Sequence, residues 1–102
     1  SSYFRNNGTA SETLLGKIST FTAGLNTWSL SATTNGADQI RAQWSASSNS
    51  GPWNDISAYD QNFTITNSVA ASDSVKFFFR IQTPTSTSSL SQYSSTLTVT
   101  AQ

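Results

Sequence analysis

The 102-residue chain has no cysteine, no histidine and no methionine, and only 10% of its residues are charged. Each shortage removes a class of function. Without cysteine there is no disulfide framework, no thiolate metal site and no thiol nucleophile. Without histidine the usual general base near neutral pH is gone, and with it the usual activator of a hydroxyl nucleophile. Five basic residues balance five acidic ones. The basic ones, Arg5, Lys17, Arg41, Lys76 and Arg80, are scattered along the chain. Nucleic-acid binding needs clustered Lys and Arg to neutralise phosphates, so it is disfavoured. No apolar run approaches the ~20 residues of a membrane-spanning helix.

The acidic residues do not assemble into a catalytic pattern. Glu12 is the sole glutamate, and Asp38, Asp55, Asp60 and Asp73 each sit in or beside a turn sequence, where Asp is favoured for its local backbone hydrogen bonds. The five glycines are dispersed and form no phosphate-cradling loop. The expectation is a non-enzymatic protein with neither cofactor nor metal. A calcium site between Asp55 and Asp60 is a minor alternative, since their spacing does not match an EF-hand loop.

What the chain has instead is hydroxyl groups. Serine and threonine make up about a third of it, far from the usual composition in which about a quarter of residues are charged. Such a surface is wet but carries little field. This composition leans towards an extracellular or cell-surface location, and the opening Ser1-Ser2 reads as a mature end left by cleavage behind a small residue. The length suits one domain.

Periodicity points to an all-β fold. Glu12 to Ile18 is the sole helix candidate, and Gly16 interrupts it. Elsewhere β-branched and aromatic residues alternate with polar ones, and turn residues recur every 8 to 12 positions, the pattern of a sandwich or barrel. Trp28, Leu30 and Ala32 share one parity, and so do Ile40, Ala42 and Trp44. With Asn35-Gly36 between them, these two stretches read as a hairpin. Phe63 and Ile65 face one way. Leu97, Val99 and Ala101 face in, with threonines opposite. Ser74 to Gln82 is the longest apolar strand, with Val75, Phe77, Phe79 and Ile81 inward. Weaker strands fall near Leu14 to Thr22 and Trp53 to Ser57. The expected architecture is an immunoglobulin-like antiparallel β-sandwich of about seven strands, with a small barrel or jelly roll as the alternative. Residues 1–12 read as an N-terminal arm or edge strand ahead of a single domain over residues 13–102.

Three sets of residues stand out as functional candidates. Phe78 has the outward parity of its strand, between Lys76 and Arg80. A bulge could turn it in, neighbouring side chains could shield it, or it lies in an interface. Tyr3 and Phe4 offer an aromatic anchor in the arm, so Tyr3, Phe4 and Phe78 are the candidate assembly residues. Trp53, Asn54, Tyr59 and Asp60 cluster in a loop of turn formers and form a candidate glycan site, an amphipathic aromatic beside a few polar groups. Asn7 and Asn62 match the N-glycosylation pattern.

The close of the chain, from Phe77-Phe78-Phe79-Arg80-Ile81 to Tyr93-Ser94-Ser95-Thr96-Leu97-Thr98-Val99-Thr100-Ala101, resembles the last hairpin of secreted immunoglobulin-like sandwiches. These include pilus and filament subunits and adhesin modules of bacteria and archaea. The resemblance implies a module that builds filaments, decorates surfaces or holds sugars. The expected function is a structural subunit of a surface assembly whose partners are copies of itself or another surface subunit. A carbohydrate-binding module with a glycan partner is the alternative, and a virus capsid decoration protein a further one.

Overall fold

Two long strands with matched apolar faces organise the chain, and the other strands take positions around them. The computed structural model describes residues 2–46, 48 and 50–102. Among these residues it contains ten strands and no helix. They are β1 (Ser2–Arg5), β2 (Glu12–Ile18), β3 (Thr22–Ala23), β4 (Asn26–Thr27), β5 (Ser29–Leu30), β6 (Gln39–Ser45), β7 (Asn54–Asp55), β8 (Phe63–Val69), β9 (Ser74–Gln82) and β10 (Leu97–Ala101).

The strands form an all-β sandwich. One sheet runs β1-β9-β6-β5, with β7 also paired to β6; the other runs β10-β2-β8; β3 and β4 make a small separate ribbon. Alternation turns Leu14, Gly16 and Ile18 of β2 to the interior, and Phe77 and Phe79 of β9 face them. The contacts divide into two adjoining clusters. Leu14, Ile65 and Phe77 gather Phe4, Phe63 and Val75; Ile18, Ala42 and Ile56 gather Leu30, Tyr59 and Phe79. Trp44 packs against both and stacks on Phe63, ring centroids 5.6 Å apart. So β9 and β6 of one sheet face β2 and β8 of the other across the interior. Gly16 is required here, because a Cβ at that position would come within 2.5 Å of the Phe63 ring.

The arm is an edge strand. β1 pairs antiparallel with β9, Ser2 opposite Phe77 and Arg5 opposite Ser74. Buried Asn6 then pins the chain: its Nδ2 donates to the carbonyls of Ala10 and Val69 at 2.8 Å, and its Oδ1 accepts from the Gly8 amide. Its backbone also bonds to Asp73 and Ser72 across the turn that opens β9. Of the two readings for this segment, arm or edge strand, residues 2–12 take the second and join the sandwich.

Two expected hairpins are not hairpins. β5 runs parallel to β6, Ser29 opposite Gln39 and Leu30 opposite Ile40. The chain reverses twice between them. The Ser31 hydroxyl accepts the amides of Thr33 and Thr34 at the first reversal. Gly36 and Gln39 bond to each other at the second, where Asp38 takes a φ of 50°. Two reversals restore the original direction. At the close of the chain, β10 leaves β9 altogether and pairs with β2, Leu97 opposite Ile18 and Ala101 opposite Leu14. Residues 83–96 cross from one sheet to the other, held by the Thr85 amide on Gly36 and the Asp38 amide on Ser86.

The apolar set of β10 does face the interior side, yet it is not covered: Leu97 and Val99 remain 38% and 37% exposed. Leu14 and Leu97 thus share a sequence pattern and differ in burial, which sets up a direct comparison. Leu14→Ala, at a fully buried position, is expected to cost about 2–5 kcal/mol. Leu97→Ala is expected to cost about 1 kcal/mol or less. Urea unfolding midpoints of the two variants test this, and equal losses would mean that β10 is packed as tightly as β2.

Candidate functional site

Cross-strand neighbours directly opposite one another share a sheet face, so the register places the candidate residues. Tyr3 lies opposite Lys76, and Phe78 opposite Ser45. Asp55, Gln43 and Arg80 fall in one row across β7, β6 and β9. All of these are on the outer face of the larger sheet. The pairing of β6 with β9 runs without a shift from Gln82 to Phe78, so no bulge turns Phe78 inward. It stays on the outer face, half-buried, while Tyr3 is 69% exposed.

On this outer face, Gln43 and Ser45 are nonetheless buried. The cover is a polar and aromatic clamp. Arg41 holds Asp55 bidentately, Nε to Oδ1 at 2.7 Å and a terminal nitrogen to Oδ2 at 3.1 Å, the strongest common geometry for such a pair. Gln43 lies directly opposite Asp55 in the pairing of β6 with β7. Arg80 Nε donates to Gln43 Oε1 at 2.7 Å, and the guanidinium lies 4.3 Å from the Trp53 ring centroid. Gly51, with a φ of 97°, lets Trp53 fold back, since a Cβ there would come within 2.8 Å of the indole. An exposed ion pair contributes about 0.2–1 kcal/mol and a surface cation–π contact about 0.5–1 kcal/mol. The clamp is therefore mainly a positioning device. It holds two-residue β7 on β6 and fixes Trp53 over the sheet.

The Arg41 hydrogen bond, followed by its charge, holds the Asp55 carboxyl below the usual carboxylate range. Asp38 is likewise lowered, chiefly by the Ser88 amide that donates to its Oδ1 at 2.7 Å.

The other candidates go elsewhere. Phe4 points inward against Leu14, Ile65 and Phe77, so it serves the core and is not available to a partner. Tyr59 is also on the inner side, against Ile18, Ala42 and Ile56, with its hydroxyl donating to the Trp28 carbonyl at 2.9 Å. Burial raises its pKa. Asp60 is exposed in a turn with a φ of 59°, its amide donating to the Ile18 carbonyl. Asn54 is exposed, and its Nδ2 donates to the Trp44 carbonyl at 3.4 Å. The four residues proposed as one glycan site are split between the two faces of the sheet. Asn7 and Asn62 are both exposed; Asn7 accepts a hydrogen bond from Arg5, and Asn62 directly precedes β8. Among the described residues no cluster of carboxylates could hold a metal ion, and the Asp55 side chain is taken up by Arg41. No helix among them is long and apolar enough to cross a membrane.

Sequence reasoning missed two groupings. One is the clamp, whose members Arg41, Gln43, Asp55 and Arg80 come from three strands. The other is a stack of Phe21, Trp28 and Tyr93 at one end of the sandwich, with Trp28 and Tyr93 centroids 4.0 Å apart. Neither leaves a local motif. In comparisons with protein-family models, curated proteins and solved structures, nothing matches this chain.

The lowered carboxyls make a pH prediction. An aspartate with a depressed folded pKa binds fewer protons folded than unfolded. Its stabilisation is present above the unfolded value, about 3.9, and is lost as pH falls through the folded value. Stability is expected to fall below about pH 4. Asp55→Asn should lower the midpoint near neutral pH and flatten that acid limb, leaving the part due to Asp38. Urea midpoints across the acid range are the measurement, and an unchanged acid slope in Asp55→Asn would show that the pair contributes nothing.

Proposed function

We propose that this protein is a non-enzymatic structural subunit of a surface assembly outside the cell, associating with copies of itself or with another subunit. The observation that carries this reading is the outer face of the larger sheet. Tyr3, half-buried Phe78 and Trp53 share it with Lys76 and Arg80. Tyr, Trp and Arg are the residues that most often anchor protein interfaces. Low charge supports the same reading, because few ions would have to be desolvated in lateral packing.

This reading keeps Tyr3 and Phe78 as contact residues, drops Phe4, and adds Trp53 and Arg80. The carbohydrate-binding alternative is weaker. Its loop aromatics lie on opposite sides of the sheet, and one face of Trp53 is occupied by the Arg80 guanidinium.

Phe78→Ser and Tyr3→Ser lie outside the core and should leave the fold intact. Burial of one Phe against a partner is worth about 2 kcal/mol, so Phe78→Ser should weaken self-association by about tenfold or more. Light scattering and negative-stain microscopy on parent and variants give the result. A parent that stays monomeric at high concentration, or association untouched by both changes, overturns the outer-face reading.

A further inference from the structure

The chain contains two Asn-Gly pairs, Asn7-Gly8 and Asn35-Gly36. Such a pair can modify itself, because glycine has no side chain to hinder an approach to its own amide. The glycine nitrogen attacks the asparagine Cγ. An N–C bond forms, the Cγ–Nδ2 bond breaks, and ammonia leaves with the proton that the glycine amide gives up. Water then opens the cyclic imide at either carbonyl. One opening yields aspartate. The other yields isoaspartate, in which the main chain runs through the side-chain carbonyl. By sequence the two pairs are equivalent, and the fold separates them.

Asn35-Gly36 is locked from several sides. Asn35 is half-buried, and its Nδ2, the departing nitrogen, donates to the Thr83 carbonyl at 2.7 Å. The Gly36 amide, the attacking group, donates to the Gln39 carbonyl at 3.1 Å. The Gly36 carbonyl accepts from the Thr85 amide at 3.0 Å and from the Gln39 amide at 3.4 Å. These bonds make the second chain reversal and tie it to the crossing segment. Attack at Asn35 would have to undo that join.

Asn7-Gly8 lies in the loop between β1 and β2, and both residues are exposed. Among the described residues no backbone–backbone hydrogen bond reaches residues 7–10. The Gly8 amide donates to Asn6 Oδ1 at 2.9 Å, a local side-chain contact two residues back. Freeing it needs movement of an exposed loop alone, and such loops open at the lowest free-energy cost in a fold. Arg5 Nε donates to Asn7 Oδ1 at 3.0 Å. That bond engages the oxygen, draws electron density from Cγ and leaves the departing nitrogen aside.

We infer that Asn7 is a site of self-modification, converting through an imide with Gly8 to aspartate and isoaspartate, while Asn35 is spared by the fold. The product adds a negative charge beside Arg5 in a chain whose charges balance. In the isoaspartate form the main chain is longer by a methylene, which moves the Gly8 amide off Asn6. Asn6 also holds the carbonyls of Ala10 and Val69, so the change acts on the residue that anchors this loop. The site does not depend on the outer-face reading.

The test is to age the folded protein in mildly alkaline buffer. An acidic form should accumulate on anion exchange, and peptide mapping by mass spectrometry should place the conversion at Asn7. One hydrogen bond that must open slows the attack by up to about tenfold, and several hold the second pair, so Asn35 should convert at least about tenfold more slowly than Asn7. In denaturing urea at the same pH the locks are gone, and the two rates should converge. Asn7→Gln should abolish the acidic form of the folded protein, and Asn35→Gln should leave it. An Asn7 that stays intact, equal conversion at both sites in the folded chain, or Asn35 converting first would overturn the inference. So would a preference for Asn7 that persists unchanged in urea, since flanking sequence and not the fold would then set it.

Discussion

The contact of β2 with β9 across the two sheets carries the rest of the structure. Leu14 and Ile18 meet Phe77 and Phe79 there, and nearly every other element is placed by reference to that seam. β8 and β10 flank β2, while β6 and β1 flank β9. Within the seam, Gly16 lies between the two buried aliphatics of β2 and leaves room for the ring of Phe63, its neighbour on β8. A chain of this size buries only a modest core. Few other side chains are fully enclosed, and Ile40, Ala42 and Ile56 extend the same layer.

Beyond the seam the protein uses other means to hold itself together. On the outer face, where a second apolar layer is absent, Arg41, Asp55, Gln43, Arg80 and Trp53 interlock side chains from three strands and the loop before β7. At the turn before β2, Asn6 satisfies three backbone groups with one buried amide. At the far end, Phe21, Trp28 and Tyr93 stack, and the Trp28 indole nitrogen donates to the Thr87 hydroxyl at 3.2 Å. Each device suits a chain poor in charge and rich in hydroxyls, since each needs few ions and many short polar partners.

The same economy leaves part of the inner face thinly covered. Ile81, Leu97 and Val99 have inward parity and still stay in contact with solvent.

The alternation of the strands was fully legible in the sequence. Phe77 and Phe79 inward with Phe78 outward, the inward parity of Ile40, Ala42 and Trp44, and the all-β class follow from a pleat that is local to each strand. The absence of a thiol and of an imidazole is read just as directly from the residue types. Tertiary structure alone decided which faces are covered and which strands are neighbours. Leu97 and Leu14 have the same pattern, but only Leu14 has a sheet over it. Tyr59 and Trp53 are close in sequence but separated by the sheet, whereas Trp53 and Arg80 are distant in sequence and stacked. The physical reason is that parity is fixed by neighbouring peptide units, while partners are fixed by crossings such as residues 83–96 and the double reversal at 31–39. Their direction depends on long-range packing, which no short window of sequence contains.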